Sequence, residues 1–291
     1  MLTFDYLTVS PVFFCIAIGL VGLLVGSFLN VVIFRLPVMM QQTWRKECTE
    51  YLGLEPELSQ SSKPFNLVFP LSRCPACKAP IKPYQNIPVI SYICLQGKCA
   101  NCSNPISLRY PIIEALTGLL SALVAWHYGL SPQIGFALLL TWSLLALSFI
   151  DIDHHLLPDS ITLPVLWLGL LLSVFGLFSD SHSSIIGVIA GYLTLWTVFH
   201  LFKTLTGKEG MGYGDFKLLA LFGAWLGWQY LPQIILLSSL VGAVIGSCMI
   251  IFSRHDRNTP IPFGPYLAAA GWIALLWGNE INSLYLKMAG L

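Results

Sequence analysis

Long runs of apolar residues, separated by short polar segments, make up most of the chain. Eight of these runs approach the roughly 20 residues that a helix needs to cross a hydrocarbon core about 30 Å thick. The pattern predicts an all-α polytopic membrane protein with about eight transmembrane helices. The runs are Pro11–Phe34, Ile112–Tyr128, Ile134–Ile150, Ile161–Phe178, Ser184–Phe202, Phe216–Leu231, Ile234–Phe252 and Pro262–Trp277.

A long polar segment, Leu36 to Tyr110, interrupts this pattern after the first run. It predicts three parts: a first transmembrane helix at residues 1–35, a soluble insert at 36–110 and a seven-helix membrane core at 111–291. The composition agrees with a mostly membrane-embedded chain, since only 10% of the residues are charged, against about 25% in soluble domains. The net charge of +1 gives no indication of nucleic-acid binding.

The basic residues fall almost entirely on one side of the predicted topology. With eight alternating spans, fourteen of the fifteen lysines and arginines share the side of the insert, and Lys287 alone lies opposite. Basic residues concentrate on the cytoplasmic side of membrane proteins. We therefore expect a cytoplasmic insert and both termini outside the cytoplasm. The fourteen are Arg35, Arg45, Lys46, Lys63, Arg73, Lys78, Lys82, Lys98, Arg109, Lys203, Lys208, Lys217, Arg254 and Arg257.

Four cysteines of the insert form two C-x-x-C knuckles, Cys74 with Cys77 and Cys99 with Cys102, and 21 residues separate the knuckles. Four thiolates in this pattern suit one tetrahedral zinc ion, as in a zinc ribbon. A redox pair or four unrelated thiols is the alternative, although the reducing cytosol disfavours disulfides. Because sulfur atoms would fill every coordination position, the zinc is expected to be structural and not catalytic.

Two aspartates stand at the ends of predicted spans on the cytoplasmic side. Asp151 directly follows the third span, and Asp215 directly precedes the sixth. The two intervening spans return the chain to the same face, so the two acids can meet at one depth. Acids at membrane depth indicate function, and paired carboxyl groups that ionise in separate steps are the machinery of aspartic proteases. The pair is a candidate catalytic dyad for peptide hydrolysis.

Simpler interpretations of the polar residues at this face stay open. Asp215 could serve only as the N-cap of the sixth helix, and Asp159 with Ser160 fits an N-cap of the fourth. His154 and His155 fit polar residues at the membrane interface. Acids within a helix bundle also bind ions or protons in transporters, which is the main alternative function.

Gly212, Gly214 and Lys217 flank Asp215 and are candidate substrate-binding residues. The two glycines lack side chains, so a substrate backbone could approach Asp215 closely. Lys217 could hold a phosphate or an acid, or it could extend its amine to the lipid headgroups.

Six motifs, in order along nearly the whole chain, resemble the bacterial type IV prepilin peptidase family, also called leader peptidase/N-methyltransferases. The sequence departs from the family pattern at Phe34, where histidine is expected. The motifs are "GSFLNVVIFRLP" (Gly26–Pro37), the double C-x-x-C, "RYPIIEALTG" (Arg109–Gly118), "DIDHHLLPD" (Asp151–Asp159), "GYGDFKLL" (Gly212–Leu219) and "PFGPYLA" (Pro262–Ala268).

The resemblance implies an intramembrane aspartic endopeptidase of the bacterial inner membrane, with catalytic acids at Asp151 and Asp215. Its substrates would be precursors of type IV pilins and of type II secretion pseudopilins. Their short basic leader would be cut after a glycine, at the cytoplasmic face, just before an apolar helix.

The resemblance also implies N-methylation of the new N-terminal residue, usually phenylalanine, with S-adenosylmethionine as methyl donor. It places this activity partly in the insert, where Gly97 and Lys98 are candidate cofactor-binding residues. Glu114, at the mouth of the second span, could hold a substrate amine or pair with Arg109.

Overall fold

The computed structural model describes residues 10–54, 65–208, 210–253 and 262–289, and every longer regular element in these ranges is a helix. Lys63, Arg254 and Arg257, which contribute to the predicted topology, lie outside the described residues. The chain divides into two compact units, Met1–Leu130 and Ser131–Leu291. The first unit contains α1 (Pro11–Tyr51), a 3-10 turn (Pro83–Asn86), α2 (Ile90–Cys94) and α3 (Arg109–Tyr128). The second contains α4 (Ile134–His154), α5 (Asp159–Val174), α6 (Ser181–Thr206), α7 (Tyr213–Leu226), a 3-10 turn (Trp228–Tyr230), α8 (Leu231–Ser253) and α9 (Gly264–Ala289).

Each predicted span overlaps one of the longer helices, but the fourth and sixth spans were predicted too long, since α5 ends at Val174 and α7 ends at Leu226. The helices also differ in length and apolarity. Among the described residues, four helical stretches are long and apolar enough to cross a membrane: Pro11–Tyr51, Ile134–His154, Ser181–Thr206 and Trp228–Cys248. The protein thus has the helices of an integral membrane protein. The count of eight crossings stays a prediction.

The first helix, α1, continues well beyond Phe34, where the first span was expected to end. Its last part, from Met39 to Tyr51, is largely polar and contains two glutamines, two glutamates, an arginine and a lysine, all of which favour helix. Pro37 lies inside the helix, at the cost of one backbone hydrogen bond. The pattern of apolar residues did not predict this extension, because such a pattern shows which residues are buried in lipid or protein and not where a helix ends.

In the first unit, α1 packs closely against α3. A Cβ added at Gly26 would lie only 2.8 Å from the Cα of Glu114, so glycine is required for the two backbones to approach this closely. The side-chain amide of Asn30 donates to the carbonyl oxygen of Tyr110 at 3.2 Å. These contacts hold the first turns of α3, where the chain returns from the insert, against α1.

Arg35 organises the segment that leads to the first cysteine knuckle. Its guanidinium is buried and donates to the carbonyl oxygens of Asn66 (3.0 Å) and Pro70 (2.6 Å). The same group lies over the ring of Phe65, 5.9 Å from its centroid. A planar group with five N–H donors can satisfy several carbonyl groups of an irregular loop at once. The arginine of the first motif therefore has a structural explanation.

The helix α7 is the centre of the second unit. Phe216, Leu219, Phe222 and Trp225 are each at most 1% exposed, and a helix that is apolar all round must be surrounded by other elements. Helices α5, α6 and α9 surround it. With 14 residues, α7 is about 21 Å long at 1.5 Å per residue. It is shorter than a bilayer because protein, and not lipid, covers most of its surface.

Candidate active site

Asp151 lies in the last turn of α4 and is buried, with 6% of its surface exposed. The C-cap residue of α4 is His155, which has a left-handed conformation (φ 52°) and donates its N–H to the carbonyl oxygen of Asp151. The carboxylate of Asp151 accepts a 3.0 Å hydrogen bond at Oδ2 from the backbone N–H of Gly264. The end of α4 therefore holds a buried acid against the start of α9.

Asp215 lies in the first turn of α7 and is as buried as Asp151, with 6% of its surface exposed. The N-cap residue of α7 is Gly212, whose carbonyl oxygen accepts the N–H of Asp215 at 3.3 Å. The interpretation of Asp215 as the N-cap is therefore wrong. Its position in the first turn still favours a negative charge, because the helix N-terminus is electropositive.

The second unit brings these two acids together. Asp151 and Asp215 lie close enough to interact electrostatically. Leu157 lies near both acids' supporting backbone. It is close to Gly214, which precedes Asp215, and to Gly264, which donates a hydrogen bond to Asp151. Two buried carboxyl groups near one another can share one proton, as in aspartic proteases. This arrangement has the chemistry needed for general acid and general base catalysis.

Gly264 belongs to this site, although sequence reasoning assigned it no role. It is the first residue of α9, and a Cβ at this position would lie 2.6 Å from Oδ2 of Asp151. Glycine thus leaves room for the carboxylate while offering it an N–H donor. The signal lies in the "PFGPYLA" motif, where Pro265 follows this glycine and a proline is typical of the first turn of a helix.

Lys217 forms an ion pair with Asp159, with its Nζ 2.7 Å from Oδ1 and 2.8 Å from Oδ2. Asp159 is the first residue of α5, whose N-cap is Pro158, so Asp159 is not the N-cap that the sequence indicated. The two side chains are 30% and 54% exposed, and ion pairs exposed in this way contribute about 0–1 kcal/mol. The pair connects the first turn of α7, which carries Asp215, to the start of α5.

The two glycines before Asp215 have different surroundings. A Cβ at Gly212 would have no neighbour closer than 3.9 Å, whereas one at Gly214 would lie 2.8 Å from Cβ of Leu157. Gly212 thus leaves open space beside Asp215. Gly214 is required by its packing against Leu157.

Glu114, in the first turns of α3, is buried, with 8% of its surface exposed. Its Oε2 accepts the backbone N–H of Val89 at 2.8 Å, and the Ser27 hydroxyl is a second hydrogen-bond partner. Val89 has a positive φ of 59°, which few non-glycine residues adopt. The carboxylate therefore holds a strained turn of the insert against α3 within the first unit.

The two C-x-x-C knuckles of the first unit share one local fold. In each, the residue after the second cysteine is left-handed, with φ 60° at Lys78 and 57° at Ser103. In each, the first cysteine donates its N–H to the carbonyl oxygen five residues later, at 3.0 Å for Cys74 and 2.9 Å for Cys99. Two similar knuckles can present two pairs of sulfurs to one ion.

The four sulfur atoms of Cys74, Cys77, Cys99 and Cys102 all lie within 4.8 Å of one another. The Sγ atoms of Cys74 and Cys102 are 3.8 Å apart, and tetrahedral Zn–S bonds of about 2.3 Å require a separation of about 3.8 Å. The backbone N–H of Ala79, followed by the side-chain amide of Asn101, lowers the pKa of the Cys77 thiol to about 6. This shift favours the thiolate at Cys77, the form that binds metals, whereas desolvation and the neighbouring thiols raise the pKa of Cys102 to about 11. The cluster fits one tetrahedral zinc ion.

Gly97 and Lys98 directly precede the second knuckle. Gly97 has φ 67°, and a Cβ there would lie 2.8 Å from the hydroxyl oxygen of Tyr92, so both the turn and the contact require glycine. Lys98 pairs with Pro105 in an isolated β-bridge. Both residues have structural explanations, and their role in cofactor binding stays a prediction.

Comparison with known proteins agrees with the motif resemblance. Residues 20–128 match the model of the bacterial peptidase A24 N-terminal domain, and residues 138–247 match that of the type IV leader peptidase family. The chain is 58% identical over 286 residues to the prepilin leader peptidase/N-methyltransferase of Pseudomonas aeruginosa, with 98% of each chain covered. Proteins of the same name from Pseudomonas putida and Aeromonas hydrophila are 50% and 55% identical, over 100% and 92% of each chain. No solved structure matches the chain.

These matches, together with the apolar helices and the two buried aspartates, show the class of this protein. It is an integral membrane protein of the A24 peptidase type. The chain belongs to the type IV leader peptidase family. The family resemblance of the six motifs is therefore confirmed.

Proposed function

We propose that the protein is an intramembrane aspartic endopeptidase that removes the leader of type IV prepilins and then N-methylates the new N-terminus. The observation that carries the proposal is the buried pair Asp151 and Asp215, held where α4, α7 and α9 meet. Relatives along the full length of the chain are named prepilin leader peptidase/N-methyltransferase, which supports both activities. A transporter that uses the same acids is not favoured by these relatives.

In the proposed mechanism one aspartate of the pair is ionised and the other is protonated. The ionised carboxylate takes a proton from a water molecule, and the water oxygen forms a bond to the scissile carbonyl carbon. The protonated carboxyl group donates a hydrogen bond to the carbonyl oxygen. The C–N bond then breaks, and the leaving nitrogen takes up the proton that the carboxylate removed from the water. The N–H of Gly264 fixes one oxygen of Asp151, which leaves the other free to face the reacting groups.

The proposed substrate-binding residues have different kinds of support. Gly212 leaves open space in which a substrate backbone could lie beside Asp215. Gly214 and Lys217 support α7 through packing and an ion pair, so their contribution to substrate binding is through the position of Asp215. Glu114 keeps acceptor capacity beyond its two donors, which is compatible with a substrate amine.

We place the protein in the bacterial inner membrane, with eight crossings, a cytoplasmic insert and both termini in the periplasm. The distribution of basic residues supports this topology. The proposed substrates include the precursors of type II secretion pseudopilins. A precursor with a basic leader in the cytoplasm and an apolar helix in the bilayer presents its scissile bond at the cytoplasmic interface.

S-adenosylmethionine is the proposed methyl donor, and it would supply the methyl group that becomes bonded to the new N-terminal nitrogen. Gly97 and Lys98 are the residues of this chain proposed to lie near it. The names of the relatives support a methyl transfer activity.

A single reaction tests this function. We expect the purified protein in detergent to convert a type IV pilin precursor into a product that lacks the leader. With S-adenosylmethionine present, the product should gain the mass of one methyl group. Mass spectrometry of the product N-terminus measures both steps. An intact precursor, together with acid-dependent ion flux in proteoliposomes, would instead indicate a transporter.

One structural zinc ion per chain is proposed to hold the two knuckles together, and Cys74→Ser should remove it. We expect the zinc affinity of the variant to fall by more than about tenfold, because even the loss of an outer-shell partner lowers the affinity of metal sites 10- to 100-fold. The insert should also become sensitive to proteases, since such sites stabilise small folds. Metal analysis and limited proteolysis measure the two effects.

Cys94→Ser is the matched control for this experiment. Cys94 lies in the same insert, at the end of α2, but is not part of the sulfur cluster. Its replacement should leave both the zinc content and the protease resistance unchanged. Equal zinc content in the Cys74 and Cys94 variants would contradict the proposed site.

A further inference from the structure

Leu157 occupies the space between the two glycines of the active site. A Cβ at Gly214 would lie 2.8 Å from Cβ and 3.1 Å from Cδ1 of Leu157, and a Cβ at Gly264 would lie 3.3 Å from the same Cδ1. One leucine side chain thus reaches the backbone at the start of α7 and the backbone at the start of α9. These are the two places that hold the acids.

The connection that carries Leu157 is short and conformationally restricted. It runs from His155, which is left-handed (φ 52°), to Pro158, whose ring fixes φ near −59°. Leu157 itself is neither fully buried nor fully exposed. A side chain held in this way forms an apolar wall beside Gly214 and Gly264, next to the backbone positions that hold the two acids, with part of its surface open.

A substrate must bring its scissile carbonyl group within reach of both acids. The substrate residue that contains this carbonyl group then lies next to Leu157, because Leu157 is close to the backbone at both Gly214 and Gly264. A residue with a Cβ at that point would compete for the space that the leucine branch fills. Glycine would not, because it has no side chain.

Building on the proposed function, we propose that Leu157 is a specificity-determining residue that restricts the residue before the scissile bond to glycine. It acts by excluding a side chain and takes no part in proton transfer. An added methyl group in an apolar pocket changes kcat/KM by roughly 10- to 200-fold. Removal of the leucine branch should relieve a discrimination of that order.

The test measures kcat/KM for two prepilin precursors that differ only in having glycine or alanine before the scissile bond. The wild-type protein should strongly prefer the glycine precursor. Leu157→Ala should reduce this preference at least about tenfold, mainly through faster cleavage of the alanine precursor. An unchanged ratio of the two kcat/KM values in Leu157→Ala would overturn the proposal.

Leu156→Ala is the matched control, because Leu156 is the preceding residue, has intermediate exposure and is not among the nearest neighbours of Gly214 or Gly264. It should keep the wild-type preference, and an equal loss of preference in this variant would overturn the proposal. If Leu157→Ala does not fold, Leu157→Val carries the same test with a smaller expected change. Failure of the wild-type protein to cleave the glycine precursor would refute the proposed function itself, so the two outcomes are distinguishable.

Discussion

Asp151→Asn and Asp215→Asn are each expected to lower the rate of prepilin cleavage on the order of 1,000-fold, which is within the range of general acid and base contributions. Asparagine keeps the size of the side chain but cannot exchange the proton that the mechanism requires. The N–H of Gly264 can still donate to an amide oxygen at position 151, so the start of α9 should stay in place. Cleavage kinetics in detergent measure the loss, and thermal unfolding checks that both variants are folded.

The double variant should be no slower than the slower single variant, because residues that act as one catalytic unit are not additive. Asp153→Asn is the matched control, since Asp153 lies on the same turn of α4 but is exposed. It is expected to keep wild-type activity. Full activity in either Asp151→Asn or Asp215→Asn would remove that acid from the mechanism.

The proximity of the two acids could be predicted because an even number of predicted spans lies between them along the chain. The alternation of predicted spans placed Asp151 and Asp215 on one face, although they are 64 positions apart along the chain. In a soluble fold the apolar runs could adopt other conformations, but within the hydrocarbon the backbone of each run must be helical. The cluster of four cysteines could also be predicted, because ligand type and spacing are local properties of the sequence.

The hydrogen bond of Gly264 to Asp151 and the position of Leu157 beside Gly214 and Gly264 could not be predicted in the same way. Both depend on how the end of α4 meets the start of α9, and hydropathy contains no information on the distance between two helix ends. The ion pair between Lys217 and Asp159 was missed for the same reason. The polar last part of α1 was missed because the pattern of apolar runs detects only apolar helices.

Gly223→Ala is expected to destabilise the folded protein by about 3 kcal/mol or more, the upper end of what overpacking a core costs. At this point α6 and α7 touch through their backbones. A Cβ at Gly187 would lie 2.8 Å from the carbonyl carbon of Gly223, and a Cβ at Gly223 would lie 2.8 Å from the amide nitrogen of Val188. Backbone atoms cannot change rotamer, so the two helices must separate.

The same separation should slow catalysis, because Asp215 lies on α7 eight residues before Gly223, about 12 Å along the helix axis. A displacement of about 1 Å at a catalytic group can cost roughly 100-fold in rate. Gly135→Ala is the matched control, since a Cβ at this helical glycine of α4 would meet nothing within 4 Å. Thermal unfolding and cleavage kinetics should show both losses in Gly223→Ala and neither in Gly135→Ala. If the two variants unfolded at the same temperature, close packing of α6 on α7 would not be what holds Asp215 in place.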